Sequence, residues 1–213
     1  MGNNITYDSN VITRDLCEFV KLESDPDFDL VKQLPGEKTL FNFHGFNGYD
    51  FNFCGRNAKV VVPEKVAAGH PWVWRARFWG HEPQTDLTLL GKGFHILYCD
   101  VAELFGNDEA LSIWDNFYRM LTGNGLAEKA VMEGMSRGGI YIYRWAAKYP
   151  ERVVAVYADA PVLDLKSWPG GKGTAQGSPE VWETFKADFG FITDEEAIAF
   201  KGNPLDLAEK IAK

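Results

Sequence analysis

The sequence predicts an α/β fold: a three-layer sandwich in which helices cover a mostly parallel sheet that is entered through an antiparallel hairpin. Three observations predict it. Four short, largely apolar runs each end at a polar or glycine loop, as strands covered on both faces do. Stripes of apolar residues at helical spacing lie between those runs. Ahead of them stands a stretch of mostly alternating aromatics interrupted by glycine. Strands that alternate with helices imply βαβ units with right-handed crossovers.

Each element follows in chain order. The first 37 residues are rich in Asp, Glu, Asn and Pro and end at the breaker Pro35-Gly36, so they read as an N-terminal extension made of a capping helix or loop. Leu40, Phe41, Phe43, Phe46, Tyr49, Phe51 and Phe53, interrupted by Gly45 and Gly48, lead through the turn Cys54-Gly55-Arg56-Asn57 into Ala58-Lys59-Val60-Val61-Val62-Pro63, a hairpin. Pro71 to Ala76 is the first buried strand, with Trp72 and Trp74 on one face against a helix. His95 to Cys99 is the second, Ala130 to Glu133 the third and Val153 to Ala158 the fourth.

Of the helices, Thr85 to Leu90 is the shortest. The longest is capped by Asn107 and buries Leu111, Trp114, Tyr118 and Leu121 before Gly123-Asn124-Gly125 ends it. Ile140, Tyr143 and Ala147 give a further stripe that stops at Tyr149-Pro150. Residues 160–213 read as a Gly/Pro-rich insertion and a helical tail, in which Thr193 and Glu196 form a capping box and Asn203-Pro204 starts a helix. The whole of 1–213 is expected to be one domain.

With 213 residues, 46% hydrophobic and 24% charged, the composition is that of a globular protein. A net charge of −8, from 30 acidic and 22 basic residues, argues against partners held through nucleic-acid phosphates or an anionic membrane. Cys17, Cys54 and Cys99 stand in no Cys-x-x-Cys or Cys/His ligand spacing, so no metal is expected. No Gly-x-Gly-x-x-Gly follows an early strand and no Walker loop is present, so no nucleotide or flavin cofactor is expected either. The N-terminus has no basic run before an apolar core, and no stretch reaches the roughly 18 apolar residues of a membrane span. That leaves the location open between cytoplasmic and secreted with a signal removed.

One segment carries chemistry. Ala130-Val131-Met132-Glu133 runs directly into Gly134-Met135-Ser136-Arg137-Gly138 and then into a helix, which is the context of a nucleophile elbow. So sharp a turn strains the serine backbone and leaves no room for a Cβ two residues to either side. Ser136 would then sit at a helix N-terminus, where the Arg137 N–H can hold a developing oxyanion. A second donor should come from the loop after the Trp72 strand, nominally Ala76, Arg77 or Phe78. The plain alternative is a serine in a tight turn that merely packs closely.

With these residues in view, the chain resembles the α/β-hydrolase superfamily, and within it a group of bacterial hydrolases found beside carbohydrate-degrading enzymes. The stretches that carry the resemblance are PWVWRARFWGHEPQTD, GKGFHILYCDV, EGMSRGG and YADAPVLDLKSWPGGKG, within about Phe43 to Gly173. The resemblance implies an α/β-hydrolase sandwich and a serine esterase with a serine nucleophile, an acid and a histidine placed last in the chain. Its chemistry would be hydrolysis of a carboxylic ester, such as an acylated carbohydrate, through an acyl-enzyme.

The histidines depart from that order, because His44, His70, His81 and His95 all precede Ser136. The last two strands of such a sheet are missing as well. Three readings stay open: a truncated chain whose acid and base lie beyond Lys213, an unusual base, for which His81 beside the loop Phe78-Trp79-Gly80 is the candidate, or a binding or scaffolding protein that keeps the elbow without the activity. His81 also reads as a loop residue bonding backbone. His44 and His95 read as packed within strands, and His70 as exposed.

For the acid, Asp159 and Asp164 follow the fourth strand, and Asp100 holds the equivalent edge of an earlier one. Asp159 is taken as the catalytic candidate, with a loop-organising carboxylate as the alternative. Trp79 and Trp168 are the candidates for substrate stacking, and the loop Ser167 to Gly173 could cover the pocket. The strand Val153 to Ala158 would be left as a sheet edge, open to a second copy of the chain or to the tail.

Overall fold

The computed structural model describes residues 23–174 and 176–211. A seven-stranded sheet organises them: β1 (Lys38–Phe43), β2 (Phe46–Phe53), β3 (Arg56–Val61), β4 (Trp72–Ala76), β5 (His95–Cys99), β6 (Ala130–Met135) and β7 (Val153–Asp159). Their order across the sheet is β1-β2-β3-β5-β4-β6-β7. The first three strands and the β3–β5 pair are antiparallel, and β5, β4, β6 and β7 run parallel. A parallel neighbour can be reached only by a crossover, and helices supply them. These are α2 (Gln84–Leu90) between β4 and β5, α3 (Asp108–Gly123) before β6 and α4 (Gly138–Lys148) before β7, while a short α1 (Leu30–Gln33) precedes the sheet.

Two apolar layers flank the sheet. On one face Trp74 packs against Trp114 of α3 and Trp145 of α4, with ring centres 4.5 and 5.0 Å apart. Trp72 shares that face, 5.4 Å from Trp74, as period-2 alternation requires. On the other face Val61, Val73, Ile96 and Leu90 of α2 close a smaller cluster with Phe43. The three-layer α/β sandwich expected from the sequence is thus present. Asn107 caps α3 by accepting the Ala110 N–H at 2.9 Å, and its own amide donates to the Asp188 carbonyl at 2.7 Å.

Beyond β7 the chain packs on the outside of α4. Phe185 of α5 (Pro179–Phe189) is fully buried and meets Phe189, Phe191 and Phe200. Arg144 of α4 lies between Phe189 and Phe200, 5.4 and 5.5 Å from their centres, and donates to the Gly202 carbonyl at 2.8 Å. The capping box of Thr193 and Glu196 begins α6 (Asp194–Ala199), and Asn203 begins a 3-10 turn that runs into α7 (Ala208–Ile211). Because sheet and tail enclose α4 from two sides, Ile140, Tyr141, Ile142, Trp145 and Ala146 are all buried. The stripe Ile140, Tyr143, Ala147 read from periodicity covers only part of that surface, since a helix enclosed on two sides loses its polar face.

Several expectations are corrected. The hairpin is a three-stranded meander, because His44-Gly45 makes an additional turn, with φ of 51° and 99° and the Asn42 side chain accepting the Gly45 N–H at 3.1 Å. His44 is therefore an exposed turn residue and not a strand residue. His70 is held, with ring nitrogens 2.7 Å from the Gly125 carbonyl and 2.9 Å from Asp25 and its ring stacked on Phe28 at 3.7 Å. The fourth apolar run is covered on one face only. As the outermost strand, β7 leaves Val154 62% and Tyr157 47% exposed.

Candidate active site

The elbow is built at the carboxyl ends of β4, β6 and β7. Ser136 follows the last residue of β6 with φ of 49°, a left-handed conformation that a residue with a Cβ adopts only under constraint. Three backbone bonds constrain it: its N–H donates to the Asp159 carbonyl at 2.9 Å, and its carbonyl accepts the Val162 and Gly139 N–H groups at 2.9 and 3.0 Å. The flanking glycines are required by contact. A Cβ on Gly138 would lie 2.5 Å from the Ala76 carbonyl oxygen, and one on Gly134 would lie 2.8 Å from the Gly138 carbonyl carbon. The serine itself is half-buried and stands two positions ahead of the first residue of α4.

Facing it is the loop after β4. Ala76 pairs in register with Gly134, and the next two residues, Arg77 and Phe78, both hold positive φ, 59° and 44°. None of the Arg77, Phe78 and Arg137 N–H groups has an acceptor among the described residues, so all three expected donors are unengaged. One nitrogen of the Arg77 side chain bonds the Ala102 carbonyl and, at 3.4 Å, the Tyr141 hydroxyl.

A buried ionic node fixes this loop. Arg75, Asp86 and Glu133 are 2%, 0% and 5% exposed. One Arg75 nitrogen bonds both Asp86 and Glu133, the latter at 3.0 Å, and the other bonds the carbonyls of His81 and, at 3.2 Å, Phe78. Two carboxyls thus share one guanidinium away from water. Burial first, and then the charge of Asp86, push the Glu133 pKa up to about 8 despite Arg75, so the node keeps a proton at neutral pH. This node sits at the sequence position read as a plain apolar strand, and no local pattern announces it, because its three members come from β4, α2 and β6.

The other residues singled out in the sequence fall as follows. The His81 side chain is exposed and makes no hydrogen bond, while its backbone closes the loop through the Phe78 carbonyl at 3.1 Å. Asp159 ends β7, where its carbonyl binds Ser136, and its residue lines a cavity of about 350 Å³ with Glu133, Gly134, Met135 and Tyr157. Asp164 accepts the Lys166 N–H and Asp100 accepts the Tyr98 hydroxyl, each at 3.0 Å, so both have local tasks. Trp168 lies at the elbow, its ring 5.8 Å from the Arg137 guanidinium. Trp79 packs instead with Phe43 and Tyr98 at 5.3 and 5.6 Å. His95 is buried in β5, and desolvation lowers its pKa to about 4. Among the described residues no side chain bonds the Ser136 hydroxyl, and no group of His, Cys, Asp or Glu could hold a metal.

No protein-family model matches the chain, and neither does the sequence of any curated protein. Solved structures do match it in fold. An S-formylglutathione hydrolase from Agrobacterium tumefaciens is 16% identical with a TM-score of 0.57, over 82% of this chain and 75% of that one. An esterase of the bacterial hormone-sensitive lipase family is 13% identical with a TM-score of 0.51, over 82% of this chain and 63% of that one. A fluorophosphonate-binding serine hydrolase of Staphylococcus aureus is 11% identical with a TM-score of 0.51, over 83% of this chain and 74% of that one. Strand order, crossover helices and the strand–serine–helix turn agree with these similarities: the chain has the α/β-hydrolase fold.

Proposed function

We propose that this protein is a serine hydrolase of carboxylic esters that works through an acyl-enzyme on Ser136. The observation that carries the reading is the left-handed Ser136, tied to the Asp159 carbonyl between β6 and α4. In the proposed reaction the Ser136 oxygen attacks the acyl carbon, and the Arg137 and Phe78 N–H groups receive the oxyanion. Collapse of the tetrahedral adduct expels the alcohol, which takes up the proton lost by the serine, and water then releases the acid.

For the proton carrier we propose His81. His70 is committed to Asp25 and Gly125, His95 is buried, and His44 lies at the β1–β2 turn, whereas His81 belongs to the loop facing the elbow. Asp159 is the proposed acid, placed one backbone hydrogen bond from the serine. The proposed substrate class includes acylated carbohydrates, with the Trp168 ring as a stacking surface. The uncovered edge of β7 is proposed as the place where a second copy would pair.

The test is labelling with a fluorophosphonate. The wild-type protein should be labelled on Ser136, and Ser136→Ala should abolish the label. His81→Ala should slow it by about a hundredfold, the usual contribution of a general base. A folded wild-type protein that resists the probe would refute the enzyme reading and favour a binding role for the same fold.

A further inference from the structure

Seven arginines lie among the described residues, and five of them have a carboxylate partner: Arg56, Arg75, Arg119, Arg144 and Arg152. The two that do not are Arg77 and Arg137, and both flank Ser136. In a chain with 30 acidic residues and a net charge of −8, leaving those two cations uncompensated at one place is a local inversion of charge. Their guanidinium carbons lie 5.4 and 5.9 Å from the centre of the same Phe78 ring.

The two differ in what holds them. Arg77 spends one nitrogen on the Ala102 carbonyl and the Tyr141 hydroxyl. The Arg137 side chain has no hydrogen bond or ion pair among the described residues and is held by two aromatic rings, Phe78 at 5.9 Å and Trp168 at 5.8 Å. Held near two rings and by no polar partner, the guanidinium keeps its N–H donors free, in the fork that matches a carboxylate. The aromatic contacts also restrict the side chain in advance, which reduces the ordering cost of binding. Partial burial takes water from it and Arg77 repels it, and an anion beside the pair would offset both effects.

The geometry points to Arg137, assisted by Arg77, as the recognition element for a carboxylate carried by the substrate, so that the ester turned over at Ser136 is anionic. This specificity rests on the ester-hydrolase reading, but the binding it requires does not need the serine. The carboxylate could belong to the acyl half or to the alcohol half of the ester. Arg137 adjoins the nucleophile in sequence, so either half of the ester is a candidate to carry the anion.

The experiment is calorimetric binding to the Ser136→Ala protein, with two matched pairs of probes. Monomethyl glutarate against dimethyl glutarate places the anion on the acyl half, and 4-acetoxybenzoate against phenyl acetate places it on the alcohol half. One anionic probe should bind about tenfold more tightly than its neutral partner. Adding Arg137→Gln should erase that preference while Arg137→Lys keeps part of it, and raising the salt to about 0.5 M should weaken it. Equal affinity within both pairs would overturn the inference, as would a preference that survives Arg137→Gln. Neither residue packs in the core, so the variants remain folded, and circular dichroism verifies it. Because the serine is absent here, a failure to label Ser136 in the wild-type protein would sink the hydrolase reading and leave this result standing, and the reverse holds too.

Discussion

Replacing Gly138 by alanine probes the elbow at its tightest contact. The added Cβ would stand 2.5 Å from the Ala76 carbonyl oxygen, where real Cβ contacts essentially never fall below 3.0 Å, so β4 and α4 must separate by at least 0.5 Å. That oxygen is backbone at the end of a buried strand, and it cannot rotate away. Overpacking of this kind costs about 1–3 kcal/mol, and the better helix propensity of alanine returns about 0.5–1 kcal/mol. A net loss centred on about 1 kcal/mol should lower the urea midpoint by roughly 0.5 M. The same displacement moves Arg77 and Phe78 away from Ser136, so fluorophosphonate labelling should slow by at least about tenfold. Gly123→Ala is the control: it lies at the end of α3 with nothing within 4 Å of a new Cβ, and it should be neutral or stabilising. Were Gly138→Ala to match the wild type in both midpoint and labelling, the argument from close approach at the elbow would fail.

Two further outcomes concern the buried node. Glu133 is raised in the folded state, so folding takes up a proton between its ordinary value of 4.5 and about 8, and stability from this group falls as pH rises through that window. Urea midpoints at pH 5, 6, 7 and 8 should therefore decline less steeply in Glu133→Gln than in the wild type. Arg75→Met leaves two buried acids without their cation and should cost about 3–5 kcal/mol, with Arg75→Met/Asp86→Leu/Glu133→Leu recovering much of it in the same denaturation assay.

Much of the architecture is legible in the sequence because it follows from periodicity and punctuation. The runs at Trp72, His95 and Ala130 are apolar on both faces and become the central strands, and Asn107 caps the helix it was expected to cap. The elbow is legible for a different reason: strand, Gly-x-Ser-x-Gly and helix follow one another in a single segment, even though the contact that forbids a Cβ on Gly138 comes from Ala76 on β4. What stayed hidden depends on pairings across the chain. His44-Gly45 disappears into a series of aromatics whose alternation continues on both sides of the turn. Trp79 follows the elbow-facing loop in sequence, yet its ring finds Phe43 and Tyr98 in the second apolar layer. That Arg77 and Arg137 lack a carboxylate shows only once the other five described arginines have theirs.

The Arg75 guanidinium ties together α2, the turn that ends at His81 and β6, where Glu133 lies 58 positions beyond Arg75 itself. Those three stretches are therefore not free to diverge separately. Remodelling residues 78–81 to alter the oxyanion loop, as an engineer would wish to do first, leaves a cation seeking carbonyls that have moved, and the disturbance reaches the strand that delivers the serine. A redesign that keeps a turn with two inward carbonyls can change almost everything else in that loop, whereas one that discards the turn must replace all three charged side chains together.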